Sequence, residues 1–249
     1  MKAGVCSFAV QIDNPRDVAN RTAAIFSVVL HTTGSGLAKL WKKRGKPGDL
    51  LEFATAFYAD PQNYAPHYLI GHDGTIVQIA NERERMPHVG TRGPKGENRR
   101  EQYLSGAWKS LVSPVALNEW QLRWTDGAID GKSYTSPFHL FPGSSVNNVA
   151  VGIENIPVTG TAAIPMRPGL YFTGAQHVAN IRLCTDIAIR NKFPRGWARS
   201  PRLLGHEDAG FIDRHDAGGG WDPGSVRAKP YFDMNFVRLG CSVSDLVPR

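Results

Sequence analysis

The stretch "IFSVVLH", residues 25–31, gives the clearest indication of the fold. Apart from Ser27 it is apolar up to its final histidine, and it is rich in β-branched side chains. Long apolar runs without alternation are typical of strands covered on both faces, as in parallel sheets flanked by helices. We therefore predict that this stretch is a buried central strand of an α/β domain.

Other segments extend the same pattern along the chain. "VAVGIENI", 149–156, is a second apolar run, interrupted by one acid, and "PRLLGH", 201–206, again ends in a histidine. The Asp-Gly pair of "HDG" separates two strand-like runs, and this predicts a β-hairpin. Apolar residues at helical spacing predict helices over 48–60, 173–193 and 231–240, with Asp233 as a candidate N-cap.

The composition limits the classes of function. The chain has 249 residues and a net charge of +7, which favours anionic partners such as a cell wall. The basic residues are scattered, without zinc-finger spacing, so we expect no nucleic-acid binding. No run of about 18 apolar residues occurs, so we expect no membrane insertion. The N-terminus lacks the apolar core of a signal peptide, so we expect synthesis as a cytoplasmic protein.

The segment 91–148 differs from the rest of the chain. It has weak periodicity and is rich in glycine, proline, serine and asparagine, yet it contains three of the six tryptophans, Trp108, Trp120 and Trp124. Long irregular segments in compact domains are often functional loops or lids. The tryptophans could stack on sugar rings or form a small hydrophobic cluster. We expect one domain over 1–249, with 91–148 as an insertion or lid.

Three ionisable residues interrupt the apolar strands: His31, Glu154 and His206. Burying such groups is costly unless they are paired or bind a metal. Two imidazoles and a carboxylate around an open position are the pattern of a catalytic zinc site. An acid-bearing, glycine-rich stretch, "RHDAGGGWDPG", follows at 214–224 and offers Asp216 and Asp222 as the carboxylate.

The order of several short motifs carries a family resemblance. They are "VVLHTTGS", "APHYLIGHDGTIVQI", "HVG" at 88–90, "VGIEN" at 151–155, "TGAQ…IRLC", "LLGHED" and "DPG…YFDMNFVRL". In this order they resemble the zinc-dependent N-acetylmuramoyl-L-alanine amidases, whose fold is shared with peptidoglycan recognition proteins. The resemblance covers most of the chain outside 91–148. It implies a mixed, mostly parallel central sheet with helices on both faces.

The resemblance also implies an activity and a set of site residues. The reaction would be hydrolysis of the amide between N-acetylmuramic acid and L-alanine in peptidoglycan or its fragments. His31 and His206 would bind Zn²⁺, and Glu154 would orient or deprotonate the zinc-bound water. The alternative for Glu154 is a structural ion pair with an arginine. His88 would line the substrate pocket or serve packing.

Two aspartates are candidates for the third zinc ligand. The family pattern is a cation, any residue, then Asp-Pro-Gly, about ten residues after the second histidine. Asp216 keeps that spacing and has Arg214 two positions before it, whereas Asp222 has the Pro-Gly but lies sixteen positions after His206. We favour Asp222, with Asp216 as the alternative. Arg214 would then reach the oxyanion of the tetrahedral intermediate from further back, unless His215 does so.

Two other functions and three biological contexts remain open at this point. The chain could be a non-catalytic module that recognises peptidoglycan, or a zinc peptidase acting on stem peptides. As an amidase it could be a phage endolysin, an antibacterial effector delivered to the wall, or a cytoplasmic enzyme that recycles muropeptides. The basic charge fits the first two contexts better, because intact walls are anionic. We expect a monomer.

Overall fold

The computed structural model describes residues 4–12, 19–33, 37, 50–88, 127–129, 132–134, 146–156, 172–199, 202–206 and 232–244. Its strands are β1 (Val10–Gln11), β2 (Ser27–Thr32), β3 (Tyr68–Ile70), β4 (Ile76–Gln78), β5 (Gly127–Ile129), β6 (Lys132–Tyr134), β7 (Ala150–Asn155) and β8 (Leu203–Gly205). The helices are α1 (Leu50–Ala59), α2 (Val146–Val149), α3 (Gly174–Arg190) and α4 (Met234–Ser244), with a 3-10 turn at Trp197–Arg199.

The main sheet is mixed and mostly parallel, as the sequence predicts. Its six strands lie in the order β1-β4-β3-β7-β2-β8, and β5 pairs with β6 in a separate two-stranded sheet. Within the main sheet, as far as the structure describes it, only the β3–β4 pairing is antiparallel, and it is the predicted hairpin. Gly74 in the hairpin turn has φ +86°, a conformation that L side chains rarely adopt. The predicted central strand, β2, lies between β7 and β8.

Helices cover both faces of the main sheet. Side chains alternate along each strand, so that neighbouring residues belong to opposite faces. Leu30 and Ile153 pack in one core with α3 and α4, through residues such as Leu183 and Val237. On the opposite face, Leu69 packs in a second core with α1. The expected three-layer arrangement is therefore present.

The helix ends are set by capping groups. Thr173 and Gln176 form a capping box at the start of α3, and the Asp233 carboxylate accepts a hydrogen bond from the Phe236 N–H at the start of α4. The helix predicted over 173–193 ends at Arg190, because Lys192 takes a left-handed conformation with φ +55°. The last helix extends to Ser244, four residues beyond the prediction.

Two strands differ from the sequence prediction. The strand predicted over 149–156 begins at Ala150, because Val149 belongs to α2. The edge strand β1 was not predicted. Within the described ranges, no helix is long and apolar enough to cross a membrane. Most of the insertion 91–148 lies outside the described residues, and so do Asp216, Asp222 and Arg214.

Candidate active site

The three ionisable strand residues lie in one row at the carboxyl ends of adjacent parallel strands. His31 in β2 is the register partner of Glu154 in β7. Leu30 pairs with Gly205 in β8, so His206 continues that register beside His31. All three side chains belong to the face that α1 covers, because they alternate with residues of the α3 face. The parallel register thus brings together residues separated by up to 175 positions.

The two histidines face each other closely. His31 Nδ1 lies 2.8 Å from His206 Nδ1, and the Glu154 Oε2 atom lies 4.0 Å from His31 Nδ1. His31 and His206 are 2% and 3% exposed. At the backbone of His31, Asn155 Nδ2 donates a hydrogen bond to the carbonyl oxygen at 3.0 Å. The two histidines are therefore buried, whereas the Glu154 side chain is 12% exposed.

The pair of imidazoles fits two ligands of a zinc site. Neutral imidazole nitrogen is a common zinc donor, and two such nitrogens on a tetrahedral zinc lie about 3.3 Å apart. The 2.8 Å separation of His31 Nδ1 and His206 Nδ1 would have to widen by about half an ångström. Within the described ranges, no group of three or more His, Cys, Asp or Glu side chains is placed to hold a metal ion. The predicted third ligand, Asp222 or Asp216, lies outside those ranges.

His88 lies against the row and contacts it through its ring. His31 Nε2 and His88 Nδ1 are 3.0 Å apart, and His88 Nε2 lies 3.0 Å from the carbonyl oxygen of Ala150. The His88 N–H donates to Asn147 Oδ1 at 3.1 Å. Burial lowers the pKa of His88 to about 3, so the ring is neutral at neutral pH. Both ring nitrogens are thus engaged with protein groups.

The glycine of "VGIEN" makes room for this ring. A Cβ atom added at Gly152 would lie 2.4 Å from His88 Cγ and 2.5 Å from His88 Nδ1. Non-bonded carbon atoms normally stay at least about 3.4 Å apart. The ring of His88 therefore occupies the space in which any larger residue at 152 would place its side chain.

His67 is fully buried, and its ring is held by backbone groups. Its Nδ1 accepts a hydrogen bond from the Gly152 N–H at 3.0 Å, so the neutral ring carries its proton on Nε2, which lies 3.0 Å from the Glu84 carbonyl oxygen. Burial and the Arg21 guanidinium hold the pKa of His67 well below its usual range. Arg21 itself donates to the Ala150 carbonyl oxygen at 2.6 Å. By contrast, His72 is exposed in the hairpin turn.

Tyr58 is a site residue that the sequence analysis missed. Its hydroxyl donates a hydrogen bond to Glu154 Oε1 at 3.3 Å, which leaves Oε2 on the side of His31. The helical pattern of α1 locates Tyr58 on a helix, but no sequence signal identifies its partner 96 residues later. Neither of these two contacts of Glu154 is the arginine ion pair of the alternative interpretation.

Comparison with known proteins adds an independent observation. A family model described as N-acetylmuramoyl-L-alanine amidase matches residues 21–225. A solved structure described as a crystal structure of an Se-Met AmpD derivative aligns with 96% of this chain and 98% of its own, at 16% identity and a TM-score of 0.47. A search of curated proteins finds no match.

Proposed function

The chain belongs to the N-acetylmuramoyl-L-alanine amidase family, and from this premise we propose that it is a zinc-dependent hydrolase of the muramoyl–L-alanine amide in peptidoglycan or muropeptides. The observation that carries the proposal is the row of His206, His31 and Glu154 at the carboxyl ends of three adjacent strands. A family match to 21–225 includes all three residues and both candidate third ligands.

His31 and His206 would hold the zinc ion through their Nδ1 atoms, with Asp222 as the third ligand and Asp216 as the alternative. When bound, zinc supplies a water of lowered pKa and polarises the scissile carbonyl. The sheet places both buried histidines side by side, and their burial favours metal binding over solvation of the imidazoles.

Glu154 would move the proton of the reaction. Its Oε2 atom lies 4.0 Å from His31 Nδ1, where it can accept a proton from the attacking water and pass it to the leaving amine of L-alanine. The water oxygen joins the lactyl carbonyl carbon, the carbon–nitrogen bond breaks, and the amine leaves protonated. Tyr58 holds Oε1 and so keeps Oε2 turned towards the reacting atoms.

The test is product analysis on two substrates, purified sacculi and a soluble disaccharide-tetrapeptide. We expect wild-type protein loaded with zinc to release intact stem peptide, with a free L-alanine amine, from at least one of them. Glu154→Gln keeps the shape but not the base, so it should retain zinc and lose about 100-fold or more in rate. A shortened stem peptide would identify a peptidase. Binding to sacculi without any product would identify a recognition module, and either result would contradict the proposal.

The metal site is tested separately by zinc content. His31→Ala and His206→Ala should each abolish stoichiometric zinc at micromolar protein, because each removes a direct ligand. His72→Ala is the matched control, since this histidine is exposed in the hairpin turn. Retention of full zinc by either ligand variant would show that the metal site has been assigned to the wrong residues.

A further inference from the structure

His88 has a geometry that neither substrate contact nor packing explains fully. Its ring nitrogens lie 3.0 Å from two protein atoms, His31 Nε2 and the Ala150 carbonyl oxygen. Its main chain is also fixed, by the hydrogen bond from its N–H to Asn147. A side chain that serves only to contact substrate would present at least one polar atom to the pocket.

The carbonyl oxygen of Ala150 determines which ring nitrogens of His88 and His31 carry hydrogen. A carbonyl oxygen only accepts hydrogen bonds, so the His88 Nε2 atom facing Ala150 must carry a hydrogen and donate it. In the neutral ring the other nitrogen, Nδ1, is then an acceptor. The atom opposite, His31 Nε2, must donate to it. His31 therefore carries its hydrogen on Nε2 and has a lone pair on Nδ1.

In the proposed function, the Nδ1 lone pair of His31 is the one that would bind the zinc ion. His31 Nδ1 is the atom that faces His206 Nδ1 at 2.8 Å. Histidines that bind metals commonly donate their other ring N–H to a carbonyl or carboxylate, which selects the tautomer and orients the ring. Here another histidine occupies that place, and the Ala150 carbonyl in turn selects the tautomer of His88.

We propose that His88 is a positioning residue that holds His31 in the Nε2–H tautomer and so keeps His31 Nδ1 available to the metal. The inference rests on the proposed zinc site, but the tautomer itself is a property of the metal-free protein. This position of His88 requires glycine at 152, because the ring occupies the space that a side chain there would fill. In this assignment His88 does not itself bind the metal.

Two substitutions separate tautomer selection from packing. His88→Asn places an amide oxygen near the position of Nδ1, so it retains an acceptor for His31 while losing the ring. His88→Phe retains a ring over Gly152 but offers no acceptor. Tautomer selection predicts a zinc affinity about 10- to 100-fold weaker for His88→Phe, and a smaller loss for His88→Asn. A packing role predicts the reverse order.

The affinities are measured by competition with a chromophoric chelator, on zinc alone and without substrate. Nitrogen-15 NMR of the imidazoles in metal-free wild-type protein then reports the tautomer directly, and needs no variant to fold. We expect His31 to carry its hydrogen on Nε2 in wild type and to populate both tautomers in His88→Phe. An Nδ1–H tautomer of His31 in wild type, or wild-type zinc affinity in His88→Phe, would overturn the assignment. Failure of wild-type protein to bind zinc would instead contradict the proposed function.

Discussion

Replacing Gly152 by alanine tests how closely the strand β7 and His88 are fitted to each other. The added Cβ would lie 2.4 Å from His88 Cγ, 2.5 Å from Nδ1 and 2.8 Å from Cβ. Restoring an ordinary contact requires the ring to retreat by about 1 Å. Because the two ring nitrogens point in divergent directions, this shift can lengthen at most one of the 3.0 Å hydrogen bonds, to His31 or to Ala150, towards about 4 Å, beyond hydrogen-bonding range.

The expected loss of stability combines overpacking at Gly152 with lost hydrogen bonding of His88. Overpacking a well-filled site costs about 1–3 kcal/mol, and each lost hydrogen bond costs about 0.5–1.5 kcal/mol. With one hydrogen bond lost, we therefore expect Gly152→Ala to lower the free energy of unfolding by about 1.5–4.5 kcal/mol, as measured by urea denaturation followed by circular dichroism. Gly174→Ala is the matched control, since a Cβ at Gly174 meets nothing within 4 Å. It should be neutral or stabilising by up to about 1 kcal/mol, because alanine favours helix.

A double-mutant cycle identifies His88 as the source of the loss. In a His88→Gly background all three close contacts of the new methyl group are absent. Gly152→Ala should then cost less than about 1 kcal/mol, so that most of its effect appears as coupling energy between the two positions. An equal loss in both backgrounds, or a loss below about 0.5 kcal/mol in wild type, would refute the reasoning.

Three further predictions concern pH, helix capping and the third ligand. Because the pKa of His67 is lowered in the folded state, its contribution to stability is complete above the unfolded pKa of about 6.5 and is lost as pH falls below it, by about 1.4 kcal/mol per pH unit. Since the pKa of His88 is also lowered and adds its own slope, urea unfolding at several pH values should give a slope about 1.4 kcal/mol per pH unit steeper in wild type and His72→Gln than in His67→Gln; equal slopes would contradict it. Asp233→Ala should lower the free energy of unfolding by about 0.5–2 kcal/mol through loss of the N-cap, and an unchanged denaturation midpoint would argue against that cap. Asp222→Ala should lower bound zinc more than Asp216→Ala in elemental analysis, and the opposite order would move the ligand to Asp216.

The row of site residues could be predicted because it depends on strand patterns. Apolar β-branched runs specify buried strands, and buried parallel strands place their carboxyl ends along one edge. A polar residue at the end of each run is therefore directed to the same place. His31, Glu154 and His206 meet for this reason, although no short motif links them.

The contacts around the row could not be predicted, because they depend on tertiary packing. His88 follows the hairpin in an irregular segment, and only the fold brings its ring to Ala150, 62 positions away. Tyr58 lies on an amphipathic helix whose pattern shows which face is buried but not which side chain it meets. Strand β1 has two exposed residues, too few for an alternating pattern to be recognised.

The central claim concerns which bond is broken, and oxygen-18 water tests it most directly. The protein, loaded with zinc, is incubated with a disaccharide-tetrapeptide in labelled water, and both products are analysed by mass spectrometry. Our account predicts one oxygen-18 atom in the lactyl carboxylate of the muramic acid product and none in the intact tetrapeptide. Label in a peptide carboxylate, or unchanged substrate, would contradict it.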